Sequence, residues 1–197
     1  AVFWGVGGDR LASGGMELVA HIRDFSLVGI SDVIRDPARI LRQFRSIRSE
    51  IARRKPSMAI LIDCPGFNLR IARHLKELKI PVVYYIIPQI WAWGEDRAAL
   101  IRKYVSLAIV IFPFEKTLLE KHGIKAEYVG HPLVDIAPGT YPPPRPGSDR
   151  AVIGLLPGSR AQEVRALLPV MVEAGSLIRS EKPGVSFLLS RSSNVAP

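Results

Sequence analysis

A carboxylate set between an apolar run and a Pro-Gly turn is the residue of this chain best placed for acid–base chemistry. Asp63 follows the run Met58 to Ile62 and precedes Cys64-Pro65-Gly66-Phe67-Asn68. That order reads as a buried strand, a tight loop and then a helix. In open parallel α/β sheets ligands gather outside the carboxyl ends of the strands, so Asp63 is a candidate general base. The same position also suits a carboxylate that caps the next helix or braces the turn.

Four other stretches place reactive or ligand-binding residue types just past an apolar run. Gly5-Val6-Gly7-Gly8 lets backbone N–H groups approach a phosphate or sugar, although it is an incomplete dinucleotide fingerprint and a plain tight turn explains it as well. Pro88-Gln89-Ile90-Trp91-Ala92-Trp93-Gly94 carries two tryptophans suited to a sugar face or an acyl chain, or to packing on a neighbouring helix. In Val129-Gly130-His131-Pro132-Leu133 a histidine is held between glycine and proline, as a phosphate donor, an acid–base group or a structural residue. Leu155-Leu156-Pro157-Gly158-Ser159-Arg160, with Glu163 in the first turn of the following helix, is the pattern of an anion site suited to a diphosphate. It lacks the Gly-Lys-Ser/Thr ending of a P-loop, so nucleotide hydrolysis is not indicated.

The elements that must position these groups alternate. Strand-like runs at 1–6, 58–62, 82–87, 107–112, 126–129, 152–156 and 185–189 are separated by amphipathic helices, the mark of a parallel α/β sheet. The clearest helix begins at Asp36-Pro37, buries Ile40, Phe44, Ile47 and Ile51 on one stripe, and ends in Arg53, Arg54 and Lys55 before Pro56. Leu69–Leu78 and Glu115–His122 are expected as further helices. Residues 137–148 hold five prolines and two glycines and read as a linker. A domain boundary is therefore expected near residue 145, giving domains 1–145 and 146–197. The chain opens at Ala1 inside a strand-like run and stops just after another, so a fragment of a longer protein is expected.

Composition narrows the function classes. One cysteine, Cys64, excludes an internal disulfide and a cysteine-built metal site, and no carboxylate pair stands at metal-binding spacing. No metal and no cofactor are expected. No apolar run approaches membrane-spanning length. The net charge of +9 calls for an anionic partner, and residues 35–55 concentrate it in Arg35, Arg39, Arg42, Arg45, Arg48, Arg53, Arg54 and Lys55. Nucleic acid is not expected, because this helix has no aromatic interleaving and the chain no nucleic-acid motif. Anionic lipid and phosphorylated small molecules remain as candidates, and a solvated helix face needs no partner at all.

Taken in order, Gly5–Gly8, Ile62–Asn68, Pro88–Trp93, Phe112-Pro113-Phe114-Glu115-Lys116, Val129–Leu133 and Leu155–Arg160 with Glu163 resemble one family, the lipid-A-disaccharide synthases, glycosyltransferases of Gram-negative bacteria. The resemblance implies a GT-B fold: a Rossmann-like parallel N-terminal domain on the acceptor side, and here the opening of a second Rossmann-like domain that binds the UDP-sugar. It implies transfer of 2,3-diacylglucosamine from UDP-2,3-diacylglucosamine to 2,3-diacylglucosamine 1-phosphate, forming the β-1,6 disaccharide precursor of lipid A. Asp63 would be the base. Gly7, Gly8, Asn68, Gln89, Trp91, Trp93 and His131 would contact substrate. Gly158, Ser159, Arg160 and Glu163 would hold the donor diphosphate. The implied location is the cytoplasm, peripherally on the inner membrane; acylated, anionic substrates would make an anionic bilayer the surface met by residues 35–55, with Phe25-Ser26-Leu27-Val28-Gly29-Ile30 as a lip admitting acyl chains or, alternatively, packed into the core. Another GT-B enzyme, a UDP-sugar epimerase or a different lipid-linked sugar transferase, is the competing expectation; the double-tryptophan loop and the Asp63 stretch argue against it.

Overall fold

In this chain proline repeatedly opens helices. Pro37, Pro65 and Pro113 each occupy the first residue of one, where the fixed φ is already helical and the missing N–H is not needed. The computed structural model describes residues 1–22, 37–93, 96–137, 151–159 and 161–192, apart from the side chains of residues 37, 39, 92, 93 and 96. The expected apolar lip at 25–30, Arg35, Asp36, the side chains of Arg39 and Trp93, and Arg160 lie outside these described residues.

The elements run β1 Trp4–Gly7, α1 Asp9–Ser13, β2 Glu17–His21, α2 Pro37–Arg54, β3 Ala59–Ile62, α3 Pro65–Glu77, β4 Val82–Tyr85, α4 Ile90–Trp93, α5 Asp96–Tyr104, β5 Leu107–Val110, α6 Pro113–Lys121, β6 Ala126–Tyr128 and α7 Leu133–Ile136. After the proline-rich stretch come β7 Val152–Leu155, α8 Ala161–Glu181 and β8 Ser186–Leu189. The described strand pairs are all parallel, as the sequence pattern requires: β1 with β2, the four-stranded order β3-β4-β5-β6, and β7 with β8. The chain divides into two compact units, Ala1–Ala137 and Pro138–Pro197, and the division falls inside the 137–148 stretch.

In the first unit β4 and β5 are central, and Val82, Tyr84, Ala108 and Val110 are fully buried there against Leu75 and Ile101 of α3 and α5. The run Met58–Ile62, expected as a buried strand, is only partly buried: Leu61 is buried while Met58, Ile60 and Ile62 are about half exposed, and among the described residues β3 has a strand partner on one side only. Two helices start earlier than the apolar pattern suggests, α3 at Pro65 rather than Leu69 and α6 at Pro113 rather than Glu115. In both, a proline that reads as a turn signal is the first helical residue.

The stripe on α2 faces the core as expected, with Ile47 and Ile51 buried and Phe44 edge-on to Phe67 of α3. Its basic last turn is not free charge. Arg54 donates to both oxygens of Glu17 on β2 at 2.6 and 2.7 Å and to Glu50 at 2.7 Å, and its guanidinium lies 4.9 Å from the centre of the Trp4 ring. Arg53 also binds Glu50. These bonds hold Glu17 and Glu50 below the usual carboxylate range. The arginines of α2 left exposed without a carboxylate partner among the described residues are Arg42, Arg45 and Arg48.

In the second unit the parallel pair β7–β8 packs on α8, where Gly175 lets the Phe187 ring approach; a Cβ there would stand 3.4 Å from it. Arg179 lies over the other partner of this contact, 5.5 Å from the Phe187 centroid.

Candidate functional site

Strand ends in the first unit carry unusual backbone. Asp63 and Cys64 are consecutive left-handed residues, with φ of 47° and 49°, and Ile86 past β4 has φ 55°. The left-handed Lys55 and Lys79 both terminate helices, where that conformation is the normal stop. A β-branched residue such as Ile86 is rarely found there. Each such residue costs about 1–3 kcal/mol and persists only where neighbours fix it.

The Asp63 loop is fixed from behind. Tyr84, fully buried on β4, donates its hydroxyl hydrogen to the carbonyl of Asp63 at 2.8 Å. Asn68, one turn into α3, donates from Nδ2 to the same carbonyl at 2.6 Å and to that of Ile62 at 2.9 Å. Asn68, expected among the substrate contacts, is therefore tied to the loop itself. Burial first, and then the neighbouring Asp63 charge, push the Tyr84 hydroxyl well above its ordinary pKa, so it remains a neutral donor. Burial and the same charge also push the Cys64 thiol up, which keeps it protonated beside Asp63 rather than a competing nucleophile.

The carboxylate itself points elsewhere. Helix α3 has Cys64 at its N-cap and no side-chain cap hydrogen bond. Asp63 is exposed, and among the described residues its carboxylate has no hydrogen bond or ion pair. The capping alternative for Asp63 is thus not what the structure adopts.

Moving along the carboxyl edge of the sheet, Gln89 is exposed just before α4, Ile90 is buried and anchors that short helix, and Trp91 is 53% exposed. Trp91 meets Phe114 of α6 nearly edge to face, centroids 5.8 Å apart. Phe112 stacks on Phe114 and lies 5.6 Å from the ring of His131, past β6. The Nδ1 of His131 accepts the backbone N–H of Leu133 at 3.1 Å, so in the neutral ring the proton sits on Nε2. Trp91 and His131, expected as substrate contacts, thus join one cluster with two phenylalanines that residue-type reasoning gave no role.

Glu115 is the residue that shapes this cluster. It is 5% exposed, and its Oε2 accepts N–H groups of Phe112 at 3.1 Å and Ile111 at 3.3 Å, the reciprocal half of a capping box. Glu115→Ala would leave both donors unsatisfied and is expected to lower stability by about 1–3 kcal/mol. Urea unfolding measures it; an unchanged midpoint would mean that Pro113 alone holds the turn.

The two glycine-rich loops differ. A Cβ at Gly7 would come within 2.6 Å of Met16 and 2.8 Å of Leu11, so packing accounts for that glycine without a ligand. Gly8 has no such crowding; its Cβ would make ordinary contact with Ile22. In the second unit Gly158 has φ 110°, and a Cβ there would stand 2.7 Å from Oε2 of Glu163. That oxygen accepts the N–H of Ser159 at 3.1 Å. Glu163 therefore braces the turn at the start of α8.

Known proteins match this chain along nearly its whole length. A family model described as lipid-A-disaccharide synthetase matches residues 1–196. The lipid-A-disaccharide synthase of Myxococcus xanthus (strain DK1622) is 42% identical over 193 residues, covering 95% of this chain and 50% of the relative. That of Koribacter versatilis (strain Ellin345) is 41% identical over 177 residues, 87% of this chain and 46% of the relative. That of Coxiella burnetii (strain Dugway 5J108-111) is 35% identical over 205 residues, 98% of this chain and 53% of the relative. The chain spans about half the length of the curated relatives it matches. With the match running through every loop described above, the chain belongs to the lipid-A-disaccharide synthase family.

Proposed function

We propose that this chain forms the acceptor-side domain, residues 1–145, and the opening of the UDP-sugar domain, residues 146–197, of an inverting glycosyltransferase. Its substrates are UDP-2,3-diacylglucosamine and 2,3-diacylglucosamine 1-phosphate, and its products are the β-1,6 disaccharide 1-phosphate and UDP. The observation that carries this reading, beside family membership, is the Asp63 carboxylate, exposed and without a partner among the described residues, on a braced, left-handed loop at the carboxyl edge of a parallel sheet.

Inversion at the anomeric carbon needs one base. Asp63 takes the proton of the acceptor 6-hydroxyl as that oxygen attacks the anomeric carbon. The bond to the diphosphate oxygen breaks on the opposite face and its electron pair leaves with UDP. The backbone N–H of Gly158, the Ser159 hydroxyl and the Arg160 guanidinium meet the charge that develops on the diphosphate. Gly8, Gln89, Trp91, Trp93 and His131 are assigned to substrate. The exposed arginines Arg42, Arg45 and Arg48 suit peripheral contact with an anionic bilayer on the cytoplasmic face of the inner membrane. Among the described residues no helix is long and apolar enough to cross a membrane.

The test is transfer by the full-length protein between the two acylated sugars, read by mass as disaccharide plus UDP. Donors without acyl chains should be poor substrates, and a product from UDP-N-acetylglucosamine at equal rate would overturn the substrate assignment. In the same assay Arg160→Ala is expected to weaken donor use about tenfold or more, and Arg160→Lys to recover only part, because a point charge replaces a planar fork. UDP affinity unchanged in Arg160→Ala would remove the diphosphate role.

A further inference from the structure

The Phe112-Pro113-Phe114-Glu115 turn has no part in the chemistry above, yet it is firmly built. A carboxylate buried to fix two backbone donors is a costly device unless the geometry it holds is used. What the turn holds outward is aromatic. Phe112 and Phe114 stack with centroids 5.7 Å apart and planes 16° from parallel. Loops from the two neighbouring strands bring Trp91 and His131 against them. Phe114 is 51% exposed and Trp91 53%, and touching aromatics left exposed at the carboxyl edge of the sheet mark a contact area.

We infer that this cluster seats a hydrocarbon chain of the substrate, an inference that rests on the acyl-sugar reading above. Stacking on a pyranose needs a free, flat ring face. Here Phe112 and Phe114 cover one face of each other, and Trp91 meets Phe114 at 72°. Rings set at an angle to one another present an irregular apolar surface, to which a flexible chain conforms more closely than a rigid sugar. The apolar surface also continues beyond His131 in the exposed side chains of Leu133 and Val134. At the rim one polar group has a fixed sense. Because His131 Nδ1 accepts from Leu133, Nε2–H is the donor available to the ester or amide carbonyl at the head of the chain.

A terminally brominated undecyl phosphate, titrated below its micelle concentration into the full-length protein, tests the assignment, because bromine quenches indole emission at contact. Quenching should be saturable, competed by unbrominated undecyl phosphate and not by inorganic phosphate. Trp91→Phe should remove most of the saturable signal. Phe114→Ala should weaken apparent binding about five- to tenfold, and Phe114→Leu less than twofold. Circular dichroism confirms the fold of each variant. Unchanged quenching in Trp91→Phe, wild-type binding in Phe114→Ala, or full competition by inorganic phosphate would each overturn the proposal. The readout needs no turnover. An inactive base or a wrong reaction leaves it intact, so loss of transfer with normal quenching would fault the reaction and not the seat.

Discussion

Asp63→Asn in the full-length protein is expected to cut turnover by roughly 10² or more, the range of a positioned general base, with little change in thermal stability. Stability should hold because the carboxylate has no partner among the described residues to lose, and asparagine is at ease in the left-handed conformation that Asp63 adopts. The substitution also separates the two readings the sequence allows. Asparagine caps helices about as well as aspartate, so a capping role would survive it with both stability and rate intact, whereas a base would not. Single-turnover measurement of disaccharide formation is the decisive assay. Near-normal turnover would sink the assignment and leave Asp63 as a loop residue that happens to be exposed.

The position of Asp63 was legible because an apolar run that stops at an acid and a Pro-Gly pair has few structural solutions. Its surroundings were not. Tyr84 reads as one more apolar residue of a strand, and only the parallel register that pairs Leu61 with Tyr84 brings its hydroxyl beneath the loop. Helix starts at Pro65 and Pro113 were hidden because proline signals both a turn and a first helical residue. The short helix α1 and strand β2 escaped notice for a different reason. Five-residue elements carry too little periodicity to register, and β2 exists through its pairing with β1. Burial of β3 was overread, since a run of apolar residues does not say whether a strand has one neighbour or two. Trp91 and His131 were recognisable from their types, but the cluster needed Phe114, whose meaning lies in the fold: β4, β5 and β6 are adjacent, so their terminal loops meet. The signal for Glu115 is an acid three residues after the N-cap Phe112, just inside a proline-started helix.

The brace behind Asp63 leads to the other large expected effect. Tyr84→Phe keeps the ring and its packing but removes the hydrogen bond to the Asp63 carbonyl, and Asn68→Ala removes the bonds to Ile62 and Asp63. Two successive left-handed residues, one of them cysteine, are then opposed by fewer restraints, so the loop relaxes toward ordinary backbone and the carboxylate leaves its place. We expect kcat to fall about tenfold in Tyr84→Phe and further in Asn68→Ala, with KM nearly unchanged, since small displacements of a base act on the transition state. Stability should fall by about 1 kcal/mol for the single lost bond. The buried phenol also sets a pH signature. Its pKa is raised in the folded protein, so the folded state keeps a proton that the unfolded chain releases above about pH 10; stability declines as pH rises past that point, and Tyr84→Phe should flatten the decline. A double variant distinguishes bracing from general damage. If Tyr84 acts only through Asp63, then Tyr84→Phe combined with Asp63→Asn should turn over no more slowly than Asp63→Asn alone. Losses that multiply would show instead that Tyr84 supports the site by some route other than the loop.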